Sequence, residues 1–154
     1  MTTEFWRRWL LLASGLIAAY AASLVLAGAV TGRLFDVLGF GMQSGAVPDG
    51  QPRSYVLFIY GVLGAVLTGW MITLAGIAAG PMRTGEPWAW PVLAASLGTW
   101  FVLDTGLSLA VGYWQHAVFN VFFLACLGLP LAGWRSASKE SAECPNQRHH
   151  SQQT

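Results

Sequence analysis

Charges punctuate this chain sparsely, and the gaps between them define its elements. After Arg8 no charged residue occurs until Arg33, and after Arg53 none until Arg83. The first gap predicts a membrane-spanning helix over about residues 9–31, and the second another over 55–80. Each is long enough to cross a hydrocarbon core of about 30 Å at about 1.5 Å per residue. A third span is expected over 91–111, interrupted only by Asp104, and a short fourth over 117–132, ending before Trp134 and Arg135. The expected fold class is an all-α membrane protein, a four-transmembrane-helix bundle occupying residues 1–135.

The first span also resembles a signal peptide, with Arg7 and Arg8 before an apolar run and Ala27-Gly28-Ala29 as an A-x-A site. Its apolar stretch exceeds the usual h-region of about 7–15 residues, and more spans follow it, so a retained first helix is the better reading. Orientation follows from the basic residues. With the N-terminus inside, Arg7, Arg8, Arg83, Arg135, Lys139 and Arg148 face the cytoplasm, and only Arg33 and Arg53 lie outside. That bias places both termini of a multi-pass membrane protein in the cytoplasm. Trp6, Trp9, Trp88, Trp90 and Trp134 fall near the inner interface, where tryptophan rings anchor.

The connections are unequal. Residues 33–54 form the longest, and its first part, 34–40, suits a short amphipathic helix on the membrane surface. Its second part, 44–54, carries Gly45, Pro48, Asp49, Gly50 and Pro52, which read as turns. Residues 112–116 make the last two helices an antiparallel hairpin. The segment 136–154 is expected to be a disordered, polar, cytoplasmic tail.

Composition agrees with a lipid-surrounded chain. Of 154 residues 55% are hydrophobic and 10% charged, too few charges to cover a water-facing surface. The formal net charge of +1, without a basic cluster, excludes a nucleic-acid partner. The two cysteines, Cys126 in an apolar run and Cys144 in the tail, form no disulfide framework.

Membrane helices associate through close backbone approach at small residues. The first helix carries Gly15, Ala19, Ser23 and Ala27 on one face, and the second carries Gly61, Ala65, Gly69 and Thr73, then Gly76 and Gly80. These stripes are expected to hold the bundle together. The sharper alternative makes one of them an interface for homo- or hetero-oligomers.

Asp104 is the one ionisable residue well inside a span. An acid at a helix centre costs about 2.5–3.5 kcal/mol on insertion scales, so its side chain should face the bundle and find a partner. Depth matching ranks Asn120 first, with Ser108 one turn along the same helix and His116 nearer the surface. Arg33 is expected to snorkel inward as an ion-pair partner, and Arg53 is a further candidate. Two readings stand side by side. Asp104 is either a proton, cation or head-group site, or a packing device satisfied by Asn120 or Arg33. Trp70 and Trp100 should lie at similar depth near mid-membrane, and Trp100 shares a helix face with Asp104. Tryptophans at depth either fill the core or wall a pocket for a lipid-like molecule.

No H-E-x-x-H, G-x-S-x-G or phosphate-binding glycine loop occurs, and no pair of acids has catalytic spacing, so an enzyme is not expected. His149-His150 beyond Cys144 make a poor metal site, and neither metal nor cofactor is expected. The pieces Gly61-Val62-Leu63-Gly64-Ala65, Gly69-Trp70, Trp88-Ala89-Trp90, Trp100-Phe101-Val102-Leu103-Asp104-Thr105-Gly106, Ala117-Val118-Phe119-Asn120 and Leu129-Pro130-Leu131 together resemble a pattern of small bacterial membrane proteins without an assigned activity. The resemblance covers about half of the chain. It implies a four-helix membrane fold and no substrate. Three roles follow as expectations: binding of a lipid-like ligand or membrane partner around Trp70, Trp100, Asp104 and Asn120; a small transporter or channel in which Asp104 titrates; and, without motif support, a membrane enzyme.

Overall fold

The computed structural model describes residues 2–41 and 50–150, with side chains placed at 2–38, 41 and 50–141. Six helices follow in order: α1 Thr3–Leu26, α2 Gly28–Phe40, α3 Gln51–Ala79, α4 Pro81–Thr84, α5 Ala89–Ala110 and α6 Trp114–His150. Among the described residues there is no strand. Four stretches are long and apolar enough to cross a membrane: Thr3–Leu26, Gln51–Thr84, Ala89–Ala110 and Trp114–Ser141. The fold is that of a multi-pass helical membrane protein.

Local chemistry sets the boundaries. Thr2 caps α1, its hydroxyl accepting the Phe5 N–H at 3.3 Å. The helix does not run on to residue 31 as expected, because Ala27 leaves helical geometry at φ −133° and ψ 34°. Thr31 repairs part of the break, its hydroxyl donating to the Ser23 carbonyl at 2.8 Å and the Ala27 carbonyl at 3.0 Å. Pro52 sits in the first turn of α3 and Pro81 opens α4, where a missing N–H costs nothing. Gly85 (φ 78°) ends α4, and Gly112 (φ 86°) lets the chain reverse between α5 and α6; both need the left-handed region that glycine adopts freely.

Packing is uneven around the bundle. α1 is central, lying against α3 on one side and α6 on the other, and α5 packs on α6. α3 and α5 meet only sparsely, so the bundle is open along that side. The main core joins Leu10 and Ile17 of α1, Met71 and Leu74 of α3, Leu93 and Leu97 of α5, and Leu127 and Leu131 of α6. α2 lies at the end away from the N-terminus, against α3 and α6. It is a helix, as the sequence suggests, yet not a purely surface one: Phe35 and Asp36 are buried.

Two expectations need correction. The small-residue stripes do not hold the bundle together. Gly15, Ala19, Ala65, Gly69, Thr73 and Gly76 are exposed on the outer surface. The α1–α3 contact uses other residues, with Gly64 of α3 set directly against the Ala21 carbonyl of α1. Secondly, α6 does not stop near residue 132. It continues through His150, with Trp134 and Ala137 buried, where an irregular polar tail was expected. The Arg135 guanidinium stacks over Trp90 at 3.7 Å, and the Trp90 indole donates to the Leu131 carbonyl at 3.0 Å. The turn residues expected at 44–49 lie outside the described residues, as do the side chains of Cys144, His149 and His150.

Candidate functional site

A cavity of about 380 Å³ lies between α1, α3, α5 and α6, under α2. Helical spacing explains how it forms. Trp100 and Asp104 are one turn apart on α5, and His116 and Asn120 one turn apart on α6, so each helix turns both residues inward. Apolar side chains wall the chamber, Trp70 and Trp100 among them, with ring centroids 5.7 Å apart. The Trp70 indole N–H donates to Ser96 Oγ at 2.9 Å, joining α3 to α5 where those helices otherwise scarcely touch. Beyond this pair the core is closed by buried Met71, Leu74, Leu97 and Leu127.

Polar groups gather at the opposite end. His116 Nε2 lies 3.4 Å from Asp104 Oδ2, and Asn120 and Trp100 flank the carboxylate. The Asn120 amide reaches Thr105 Oγ1 at 3.3 Å, and Ser108 donates to the Asp104 carbonyl at 2.6 Å. His116 and Asn120 are buried, but the Asp104 side chain keeps 32% of its exposure. Asp104 lines the chamber and is less buried than either neighbour.

Six of the sequence candidates, Trp70, Trp100, Asp104, Ser108, His116 and Asn120, line this one cavity. Arg33 does not. It is exposed on α2, and among the described residues it makes no ion pair with Asp104. Its side chain is absent from the chamber lining, to which α2 contributes Phe35. Nor is Arg53 a partner of Asp104. Its Nη1 lies 2.6 Å from Asp36 Oδ2, in a buried pair.

That pair is what sequence reasoning missed. Asp36 also accepts the Tyr60 hydroxyl, at 2.5 Å, so one carboxylate of α2 is held twice by α3. Phe35, its neighbour, stacks edge-on against Tyr60 (5.1 Å) and His116 (6.1 Å) and lines the chamber. α2 thus forms a roof, ionically tied to α3 and aromatically to α6. The signal available was an acid amid the apolar stretch 34–40 with Arg53 across the loop, a charge too costly to leave in an apolar setting without a partner.

Among the described residues no group of three His, Cys, Asp or Glu is arranged to hold a metal. The fold and cavity define a class: a four-helix membrane bundle with a chamber that is apolar at one end and polar at the other. The chain matches no protein-family model, and it shows no significant similarity to a curated protein or a solved structure.

Proposed function

We propose that this protein binds an amphipathic, lipid-like molecule in the chamber, and that the molecule enters from the bilayer between α3 and α5. One observation carries this reading. The cavity combines a wall of apolar and aromatic side chains with a single polar cluster, Asp104, His116 and Asn120, at one end. Binding sites for such molecules have this form, a mostly apolar lining with a few placed polar groups that fix orientation. The sparse α3–α5 contact supplies a lateral way in from lipid.

A carrier in which Asp104 titrates is the second reading, and the Asp104–His116 pair favours it. Against it, the buried side chains of Met71, Leu74, Leu97 and Leu127 fill the bundle beyond the tryptophans. A proton or ion released at Asp104 has no polar route onward through them. Binding is therefore preferred to passage.

The orientation we propose has both termini in the cytoplasm of a bacterial inner membrane. The basic residues support this, with Arg7, Arg8, Arg83, Arg135 and Lys139 on one side and Arg33 and Arg53 on the other. A reporter fused after Trp134 should be cytoplasmic, and a periplasmic signal there would overturn the assignment.

Native mass spectrometry in gentle detergent tests the binding reading. The wild-type chain should retain a small amphiphile that Trp100→Ala loses while remaining helical. A chain that retains nothing, and binds no member of a lipid panel, would refute it. A pH-driven flux in vesicles, lost in Asp104→Asn, would replace it with the carrier reading.

A further inference from the structure

Resting on the reading of the chamber as an amphiphile site, we infer that its head-group end takes a cation: a lipophilic ammonium rather than a fatty acid or a phosphate-bearing lipid. The charge inventory of the lining points there. Asp104 is the acid in the lining, and neither lysine nor arginine is among the lining residues described. The cations at this end of the bundle are both elsewhere. Arg53 is bound to Asp36, and Arg33 is exposed on α2. An anionic head would therefore meet the Asp104 carboxylate with no lysine or arginine in the lining to offset it, in surroundings where water screens little.

A cation meets the reverse. Asp36 contributes little net field, because Arg53 compensates it, so the uncompensated charge at the chamber is that of Asp104. Its contact with His116 Nε2, 3.4 Å, is longer than a usual N–H···O bond of about 2.7–3.2 Å. With the imidazole neutral, the pair keeps one negative charge. Asp104 lines the chamber, and its side chain keeps about a third of its exposure. Trp100 flanks the carboxylate, and the rings of Tyr113 and Phe119 line the same chamber. A quaternary ammonium favours this combination of a carboxylate and ring faces, and its alkyl chain would lie along the apolar wall toward Leu67 and Met71.

Three probes of one chain length separate the possibilities: dodecyltrimethylammonium, dodecanol and dodecanoate. Each is titrated calorimetrically into the full chain in nanodiscs of zwitterionic lipid at about pH 8, where histidine is ordinarily neutral, with empty nanodiscs subtracted. The ammonium should bind about tenfold more tightly than the alcohol, and the carboxylate more weakly than both. Asp104→Asn, which keeps the side chain's shape, should erase the ammonium's advantage over dodecanol. Dodecanoate binding as well as the ammonium would overturn the head-group assignment and leave the chamber reading standing. An advantage that persists in Asp104→Asn would overturn it too. If none of the three binds above empty nanodiscs, the chamber reading falls with it. Should the variant fail to fold, the wild-type ranking decides, and an ammonium no tighter than dodecanol sinks the proposal.

Discussion

Asp36 and Arg53 face each other across the junction of α2 and α3, with 2.6 Å between Oδ2 and Nη1, and both are buried. Burying two charges is expensive, and their attraction offsets the cost only while both remain. Removing one partner strands the other. Arg53→Ala and Asp36→Ala should each destabilise the protein by about 3–5 kcal/mol, and the double variant by clearly less than the sum. Reversible unfolding in mixed detergent micelles, followed by circular dichroism, measures all three. Strict additivity would show that the two charges do not support one another.

The Tyr60 hydroxyl grades the same junction more gently. Tyr60→Phe keeps the ring against Phe35 and the Arg53 contact, and removes only the O–H donated to Asp36 Oδ1. One lost bond to a charged acceptor predicts a cost of about 1.5–3 kcal/mol, below that of Arg53→Ala. It should also leave amphiphile retention intact, since the roof stays tied by Arg53. A loss as large as that of Arg53→Ala would mean that Tyr60, rather than the ion pair, holds α2 in place.

Spans and cavity were legible to different degrees, for physical reasons. The gap from Arg53 to Arg83 announces α3 because lipid tolerates few charges, a rule that needs no tertiary contact. Trp100 and Asp104 share a face because helical geometry alone sets four-residue spacing. Depth matching across the hairpin brought Asn120 near Asp104, yet ranked it above His116, whose Nε2 lies 3.4 Å from the carboxylate. The break at Ala27 left no such trace, since Leu26-Ala27-Gly28-Ala29 reads as continuous apolar helix. With that break unseen, α2 looked like a surface element, and the Asp36–Arg53–Tyr60 cluster it builds could not be assembled. The stripes failed for a related reason. Four-residue spacing shows that Gly15, Ala19 and Ser23 share a face, but not which way the face points.

Trp70 and Ser96 provide a test of the open side. Their bond, Nε1 to Oγ at 2.9 Å, spans the gap between α3 and α5. Trp70→Phe and Ser96→Ala should each cost about 0.5–1.5 kcal/mol, and the double variant little more than either alone, because a single interaction is being removed. If the gap admits ligand, both variants should also exchange a bound amphiphile faster, read as a shortened residence time by stopped-flow displacement. Unchanged exchange in both would place the entry elsewhere.

Glycine substitutions separate the real helix contact from the apparent one. At Gly64 an added methyl would run into the Ala21 carbonyl oxygen and come within 3.0 Å of Leu24 Cβ. Backbone cannot yield as a side-chain end does, so α1 and α3 would have to move apart. Overpacking of this kind predicts a loss of about 1–3 kcal/mol for Gly64→Ala. At Gly15, Gly61 and Gly69 the same methyl meets nothing within 4 Å. There alanine restricts the unfolded chain and favours helix, so each substitution should be neutral or stabilising by about 0.5–1 kcal/mol. Unfolding in mixed micelles compares the four variants directly. Were Gly69→Ala or Gly15→Ala to cost as much as Gly64→Ala, the outward face would be packed against something in the folded protein, as the oligomer-interface alternative requires.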